Sequence, residues 1–406
     1  MSKLYNLARM TTATAGAGTI TLGAALSGFL SFGAAGVQDG DVVTYAISDG
    51  ANSEIGRGTY TAAGTTLTRN VLRSTNSNSA ISLSGSAQVF ITAAAEDFAA
   101  PTPPQGRLTL TSGTAVPTAD VASATTLFYT PAIGRFVPLW NGNSLVMTDT
   151  GGELLQATTD TSKSPAAIAA NSNYDIFVWS DGGTMRATRG PAWTSDTGRG
   201  TGVGTTELDF TTAPGVPLNK NAVTNGPLAG RGTYVGTVRS DGNSFLNMTF
   251  GTAAAGGGQA ILGVWNAYNP ELVYAKASDS TANWTQTSST QGPLNASTGN
   301  RINLVSGLAI HAIDVYLSVH LNSAAVSGAK ASIGFGLDTT TAADFTDQDT
   351  TQAALSVRHM QKCRGGYKPQ LGFHFIQALQ AGDGTNAAVW DQAALNGPGL
   401  MAWLQM

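Results

Sequence analysis

Charged side chains are scarce in this chain of 406 residues, where Asp, Glu, Lys and Arg together make up 11%. Soluble globular domains average about 25%, and a monomeric enzyme normally keeps its surface soluble with such side chains. Two explanations of the deficit stay open: neighbouring subunits cover much of the surface, or Ser and Thr solvate it. The net charge of −4 argues against binding of a phosphate backbone, so no nucleic-acid partner is expected.

Cysteine is also nearly absent, since Cys363 is the single one in the sequence. One thiol excludes a disulfide framework within the chain, so stability has to come from packing and assembly. No CxxC pattern surrounds it, which favours a buried or bystander thiol over a catalytic one.

Long apolar runs are missing as well. Residues 14–37 lean apolar, but Thr, Ser and several Gly interrupt them, and a membrane span needs about 18 consecutive apolar residues. The pattern predicts no membrane insertion and no secretory signal. It is typical of a protein that is made and assembled in a bacterial cytoplasm.

Motifs of common enzymes and cofactor sites are not found. The chain contains no GxxxxGK[ST], GxSxG or HExxH sequence, and the glycines at residues 198–204 do not form GxGxxG. Glycoside hydrolysis needs two carboxylates about 5–9 Å apart, yet Glu271 is the only glutamate after residue 230. We therefore expect no enzymatic activity and no cofactor.

A metal site is not expected either. The four histidines lack metal-ligand spacing, although two of them could meet across paired strands, namely His320 and His374. Three aspartates lie close together at residues 344–349, but the glycine and distal glutamate of a calcium loop are missing. Solvated carboxylates are the favoured interpretation of this group.

What the chain does contain is Gly (49 residues), Thr and Ser between short apolar runs, a pattern typical of an all-β fold with many turns. Residues 176–179 and 184–188 flank the turn SDGG and predict a β-hairpin. Residues 234–238 predict a further strand. Residues 313–321 alternate apolar and polar side chains, which predicts a half-buried strand, and residues 339–351 predict a polar loop.

The spacing of these elements predicts a multidomain chain. Residues 1–100 are expected to form a small β-sandwich or barrel, and residues 101–104 a proline-rich linker, because proline favours an extended, semi-rigid spacer. A middle β module is expected at residues 105–230. About ten strands at residues 231–406 predict a jelly-roll-like β-sandwich.

Several short sequences resemble recurrent modules of tailed-bacteriophage fibre, spike and minor structural proteins, which also occur in gene transfer agents. They are GRGTY (56–60), LTR (67–69), NYDIFV (173–178), PAWT (191–194), RGTYVGT (231–237) and ILGVWNAYN (261–269). Ala267 stands where an aromatic residue is common in that family. The resemblance implies a virion protein whose N-terminal module docks on tail, collar or head proteins, and it implies a homotrimer.

Four aromatic residues crowd into a short region of the last module: Trp265, Tyr268, Tyr274 and Trp284. Flat aromatic faces stack on sugar rings, so these residues are candidates for binding host-surface polysaccharide. Packing in the core or between subunits is the alternative, and Trp265 and Tyr268 favour it because they lie in the family's motif. Tyr274 and Trp284 are the residues expected to be exposed.

The sequence thus predicts a non-enzymatic fibre or spike subunit that presents β modules for host attachment. A scaffold without receptor binding and a polysaccharide depolymerase remain alternatives.

Overall fold

The computed structural model describes residues 2–94, 97, 102–142, 144–213, 215–322, 330–350, 358–391 and 399–406. Regular structure in these residues is almost entirely β, which confirms the all-β class. The 3-10 turn Leu294–Ala296 is the one helical element whose bounds lie within them. None of their helical structure has the length and apolar character that a membrane span needs. The chain divides into two compact units, Met1–Ala100 and Pro101–Met406.

Short strands build the first unit, and seven of them form one sheet with the order β1-β9-β4-β5-β6-β3 and β7 beside β5. Side chains that alternate along β4, β5 and β9 fill its core. The strands are β1 (Arg9–Thr12), β2 (Ala15–Gly16), β3 (Ile20–Thr21), β4 (Val42–Asp49), β5 (Asn52–Thr61), β6 (Thr66–Leu67), β7 (Asn70–Ser74), β8 (Leu83–Ser84) and β9 (Ala87–Ile91).

A buried ion pair lies inside this unit, with the side chains of Glu54 and Arg69 0% and 2% exposed. The Tyr45 hydroxyl donates to Glu54 Oε1 at 2.7 Å, and Arg69 Nε donates to the same oxygen at 2.9 Å. A Cβ atom at Gly56 would lie 2.6 Å from that hydroxyl, so glycine is required there. The phage-like sequences GRGTY and LTR therefore supply interior packing in this unit.

The second unit begins with strands β10 to β20. They are β10 (Gly106–Thr109), β11 (Val121–Ala124), β12 (Thr126–Pro131), β13 (Phe136–Trp140), β14 (Leu145–Asp149), β15 (Leu154–Ala157), β16 (Asn173–Asp181), β17 (Thr184–Ala192), β18 (Leu208–Asp209), β19 (Leu218–Asn219) and β20 (Thr233–Arg239). Strands β16 and β17 form the predicted hairpin, with Asp181 opposite Thr184. Strand β20 confirms the strand predicted at residues 234–238.

Strands β21 to β35 complete the unit. They are β21 (Leu246–Thr249), β22 (Ala253–Ala254), β23 (Ala260–Leu262), β24 (Val264–Asn266), β25 (Leu272–Asp279), β26 (Trp284–Gln286), β27 (Gly292–Pro293), β28 (Arg301–Ser306), β29 (Ile313–Asn322), β30 (Lys330–Leu337), β31 (Phe345–Thr350), β32 (Arg358–Tyr367), β33 (Gly372–Ala381), β34 (Ala388–Asp391) and β35 (Gly399–Gln405).

Two sheets dominate the last part of the unit. One has the order β11-β21-β23-β28-β33-β30-β31, with β27 beside β33, and the other has the order β22-β25-β35-β29-β34-β26, with β32 beside β29. The inward residues of both, such as Val315 of β29 and Phe335 of β30, belong to one hydrophobic cluster. On the outward face of the second sheet, Tyr274, Trp403 and Tyr316 are exposed or half-buried, whereas Ser318 and His320 further along β29 are buried.

Strand ladders cross residue 230, where the sequence predicted a module boundary. Strand β20 pairs with β16 and β19, and β21 pairs with β11. One hydrophobic cluster also contains residues from both sides, for instance Leu108 and Leu404. Residues 105–230 and 231–406 thus share sheets and a core here, and their separate folding stays a prediction.

The polar segment at residues 339–351 is only partly the predicted loop, because residues 345–350 form strand β31. Its partner is β30, and Phe335 lies opposite Phe345 in the register. The rings of these two residues lie 5.2 Å apart. Most other positions of β31 are Thr or Asp, so apolar and polar residues do not alternate along it. The sequence pattern therefore does not predict this strand.

A second buried ion pair anchors the glycine-rich residues 198–204 to β16. Arg199 Nε donates to Asp175 Oδ2 at 2.6 Å, and the guanidinium lies 4.3 Å from the centre of the Trp193 ring. Hydroxyl groups of Thr206 and Thr237 also donate to the Asp175 carboxylate. This carboxylate is therefore fully used in holding the loop, since each of its oxygens accepts bonds within the protein.

Candidate functional site

An open groove lies on the outward face of the sheet that contains β25, β35, β29 and β32. Its volume is about 1210 Å³, and its lining includes Leu272, Asp314, Tyr316, Arg364, Tyr367 and Trp403. These residues come from four neighbouring strands that are far apart in the sequence.

The two-residue period of each strand puts these side chains on one face. In β25 the residues Val273, Ala275 and Ala277 are buried, whereas Leu272 and Tyr274 are exposed. Strand β35 follows the same rule, and β29 follows it as far as Leu317. Tyr316 and Trp403 are half-buried on the outward side. The apolar halves of the strands fix the sheet to the core and so orient the groove residues.

The register aligns rows of side chains across the sheet. In one row Tyr274 lies opposite Trp403, Trp403 opposite Asp314, and Asp314 opposite Gly366. The rings of Tyr274 and Trp403 have centroids 5.3 Å apart and planes tilted by 45°. Trp403 therefore lines one side of the groove, and Tyr274, which is 44% exposed, extends this aromatic platform beside the groove.

The other side of the groove is charged. Arg364 Nη2 lies 2.8 Å from Asp314 Oδ2, and their side chains are 73% and 47% exposed. The hydrogen bond to Asp314 raises the pKa of Arg364, so the guanidinium carries its charge at every physiological pH. A Cβ atom at Gly366, which lies opposite Asp314, would be 2.9 Å from the Ile313 carbonyl oxygen, so glycine is favoured where β32 passes β29.

Tyr367 closes one end of the groove. Its hydroxyl donates to Asp344 Oδ2 at 2.9 Å, and burial together with this bond raises the pKa of the phenol. Its ring meets Phe345 edge-on at 5.8 Å. A Cβ atom at Gly365 would lie 2.5 Å from the Phe345 ring, so glycine is needed where β32 passes that side chain.

The structure does not bring the four predicted aromatic residues together. Tyr274 is the one that belongs to the platform. Trp265 is buried on β24, as its place in the motif indicated, and Tyr268 is half-buried. The Tyr268 hydroxyl is enclosed and makes no hydrogen bond with the described residues.

The expectation that Trp284 is exposed is wrong. Its side chain is buried, and its Nε1 donates to Gln380 Oε1 of the other sheet at 2.7 Å. Because Gln380 satisfies the indole N–H, the ring can be enclosed between the sheets at little cost.

Trp403 and Tyr316 are groove residues that the sequence did not indicate. Tyr316 stands on the polar side of the alternation in β29, which is a usable signal for an outward aromatic residue. Trp403 lies in the sequence GLMAWLQ, where only the period of two separates it from the buried neighbours Ala402 and Leu404. Neither pattern shows that these residues face Tyr274.

The suggested meeting of His320 and His374 across paired strands does not occur, because β29 and β33 belong to different sheets. His374 Nδ1 instead lies 2.6 Å from Asp338 Oδ2. Among the acidic residues, Asp347 Oδ2 accepts from the Lys362 backbone. In the described parts of the chain, no group of three or more His, Cys, Asp or Glu residues is placed to hold a metal ion.

No family model matches the chain, and no curated protein matches it significantly. Among solved structures, it is similar to a chain in the structure of infectious bursal disease virus, Gx strain, with 10% sequence identity. That alignment covers 99% of this chain and 76% of the viral chain, with a TM-score of 0.19. Agreement this weak carries no argument about fold or function.

Proposed function

We propose that this chain is a non-enzymatic structural subunit of a tailed bacteriophage or gene-transfer-agent-like particle. It is a fibre or spike component that docks on the virion through residues 1–100 and attaches to host-surface polysaccharide through the second unit. The observation that carries the attachment role is the open groove with the Tyr274–Trp403 platform beside the Arg364–Asp314 pair. Aromatic faces stack on sugar rings, and exposed charged groups exchange hydrogen bonds with sugar hydroxyls.

The position of the phage-like sequences supports this division of roles. In the first unit, the sequences GRGTY and LTR surround the buried side chain of Glu54. In the second unit, NYDIFV and RGTYVGT contribute the buried residues Asp175 and Tyr234. The groove residues lie outside every one of these sequences. The phage-like sequences thus form a common framework, and the groove residues form an outer surface that is specific to this chain. Attachment to one particular host requires such a combination.

A polysaccharide depolymerase is the less favoured alternative. Glycoside hydrolysis uses two carboxylates about 5–9 Å apart. Of the described residues that line the groove, Asp314 alone has a carboxylate, and Arg364 holds it. A scaffold protein without receptor binding is the other alternative, in which a neighbouring subunit covers the groove.

Labelled full-length protein, incubated with host cells, tests the attachment role. We expect it to bind the cells and to block adsorption of the particle, and we expect the double variant Tyr274→Ala/Trp403→Ala to lose both effects. Cell binding that survives the double variant would remove the groove from the proposal. Release of reducing ends from host polysaccharide would contradict the non-enzymatic role.

The proposed assembly is a homotrimer within the virion, put together in the host cytoplasm and docked on tail, collar or head proteins. This part rests on the resemblance and on the low charge content. Light scattering of the purified chain measures the subunit number. Electron cryo-microscopy of the intact particle locates the chain and its neighbours, and a monomer at the particle surface would contradict the trimer.

A further inference from the structure

We infer that the groove selects polysaccharides that carry carboxylate groups, binding the anion through Arg364 and Lys368 while a sugar ring lies on the Tyr274–Trp403 platform. The inference rests on the proposed attachment function and specifies its ligand class.

The charge of the groove is opposite to that of the chain. The whole sequence has a net charge of −4, yet the described residues lining the groove include two basic side chains, Arg364 and Lys368, against the single carboxylate of Asp314. Lys368 is exposed and pairs with no carboxylate among the residues that the structure describes. A local excess of positive charge on an acidic protein favours an anionic ligand at this place.

The geometry of the ion pair leaves donors for a ligand. Arg364 directs Nε and Nη2 towards Asp314, at 3.4 and 2.8 Å from its two oxygens. The Nη1 N–H groups point elsewhere and have no acceptor among the described residues. Asp314 thus holds the guanidinium in place by a two-nitrogen contact, and the Nη1 N–H groups remain available to donate charge-assisted hydrogen bonds to a ligand carboxylate.

The spacing of the two sides fits a polymer. Trp403 lies on β35 and Arg364 on β32, with β29 between them. Neighbouring strands are about 4.8 Å apart, so the ring platform and the cation are separated by roughly 10 Å. The groove volume of about 1210 Å³ also exceeds the range of about 300–1,000 Å³ typical of small-molecule pockets. An extended chain with repeated carboxylates can occupy both sides at once.

Binding of the full-length protein to matched polymers tests this selectivity. The probes are polygalacturonate, alginate, hyaluronate and polysialic acid, each beside its own methyl-esterified form, which keeps the backbone and removes the charge. We expect at least one acidic polymer to bind roughly tenfold more tightly than its ester, because a charge-assisted hydrogen bond is lost in the ester. The inference is overturned if no acidic polymer binds, or if every ester binds as well as its acid.

Variants then separate the groove from general attraction between charges. Arg364→Gln and Lys368→Gln remove exposed cations and should each weaken acid binding several-fold. Lys220→Gln removes an exposed lysine that does not line the groove and should leave binding unchanged. Equal losses in all three variants, or equally tight binding of dextran sulfate, would show unspecific polyanion binding and contradict the inference.

Failure of the inference and failure of the proposed function give different results. If labelled protein blocks particle adsorption but no acidic polymer competes with it, attachment stands and selection of carboxylates is wrong. If the protein neither binds cells nor blocks adsorption, the attachment function itself is wrong.

Discussion

Two arginine–aspartate pairs in the second unit show how position changes the role of the same chemistry. In the Arg199–Asp175 pair the side chains are 11% and 0% exposed, and hydroxyl groups surround the carboxylate. In the Arg364–Asp314 pair they are 73% and 47% exposed and border an open groove. The first pair holds the loop at residues 198–204 against the core. The second pair holds the Arg364 guanidinium at the protein surface.

The difference teaches that an ion pair has to be judged by what else its atoms contact. A buried pair is costly to break, because the remaining partner keeps an uncompensated charge inside the protein. An exposed pair contributes little to stability, because water and salt screen it. Four pairs of this chain span the range between these limits and allow the comparison to be tested.

The largest effect is expected for Glu54→Gln in the first unit. Arg69 stays buried without its counter-charge, so we expect a loss of about 3–5 kcal/mol in the free energy of unfolding. Hydrogen–deuterium exchange over residues 2–94, measured in the full chain, reports this loss. The control is Asp39→Asn, which changes an exposed carboxylate in the same unit, and equal effects of both variants would contradict the role of burial.

Asp175→Asn should follow, with a loss of roughly 3 kcal/mol. Arg199 keeps the Gly307 carbonyl and the Tyr234 hydroxyl as acceptors but loses the carboxylate. Denaturant unfolding gives the magnitude, and faster exchange at residues 198–204 should accompany it. Unchanged protection of that loop would mean that Arg199 does not anchor it.

His374 and Asp338 form an intermediate pair, with side chains 8% and 43% exposed. Burial alone lowers the pKa of His374, but the hydrogen bonds to Asp338 and to the Leu371 carbonyl outweigh it and raise the pKa above its usual value of 6.5. A raised pKa in the folded state means that the stabilisation is complete below about pH 6.5 and is lost as the pH rises through the folded value.

Stability of the wild type should therefore fall modestly as the pH rises above about 6.5, because solvent screens Asp338. His374→Gln should remove most of this slope in denaturant unfolding at several pH values. A slope that persists in the variant would assign the pH dependence to another group.

The smallest effect is expected for Asp314→Asn. The pair is exposed, and we expect no measurable shift in the denaturation midpoint. The same variant should change binding of acidic polysaccharide, because the amide no longer holds Arg364 in place. A large loss of stability would break the contrast between surface and interior pairs.

Local patterns in the sequence are sufficient for much of the fold. The hairpin at residues 176–188 and the alternation at residues 313–321 follow from turn chemistry and from the period of two. Strand β31 is missed because its side chains are mostly polar and its partner β30 decides its conformation. The buried position of Trp284 likewise depends on Gln380, which lies 96 residues further along the chain.

The groove is the part that the sequence could not predict. Tyr274 was one of the aromatic residues that the sequence indicated. Trp403 and Arg364 are brought near it only because β25 pairs with β35, β35 with β29, and β29 with β32. Such long-range register is set by the packing of the whole unit. A local cluster of aromatic residues therefore identified one member of the site and could not supply the others.

The strand ladders across residue 230 have a consequence for how such genes can exchange segments. A crossover near residue 100 separates no described strand from its partner, so the strand ladders of each unit stay within one parent. A crossover near residue 230 would combine β16 of one parent with β20 of another, and only closely matched parents would yield a folded hybrid. Natural mosaics of this protein should therefore have their joints at the proline-rich segment.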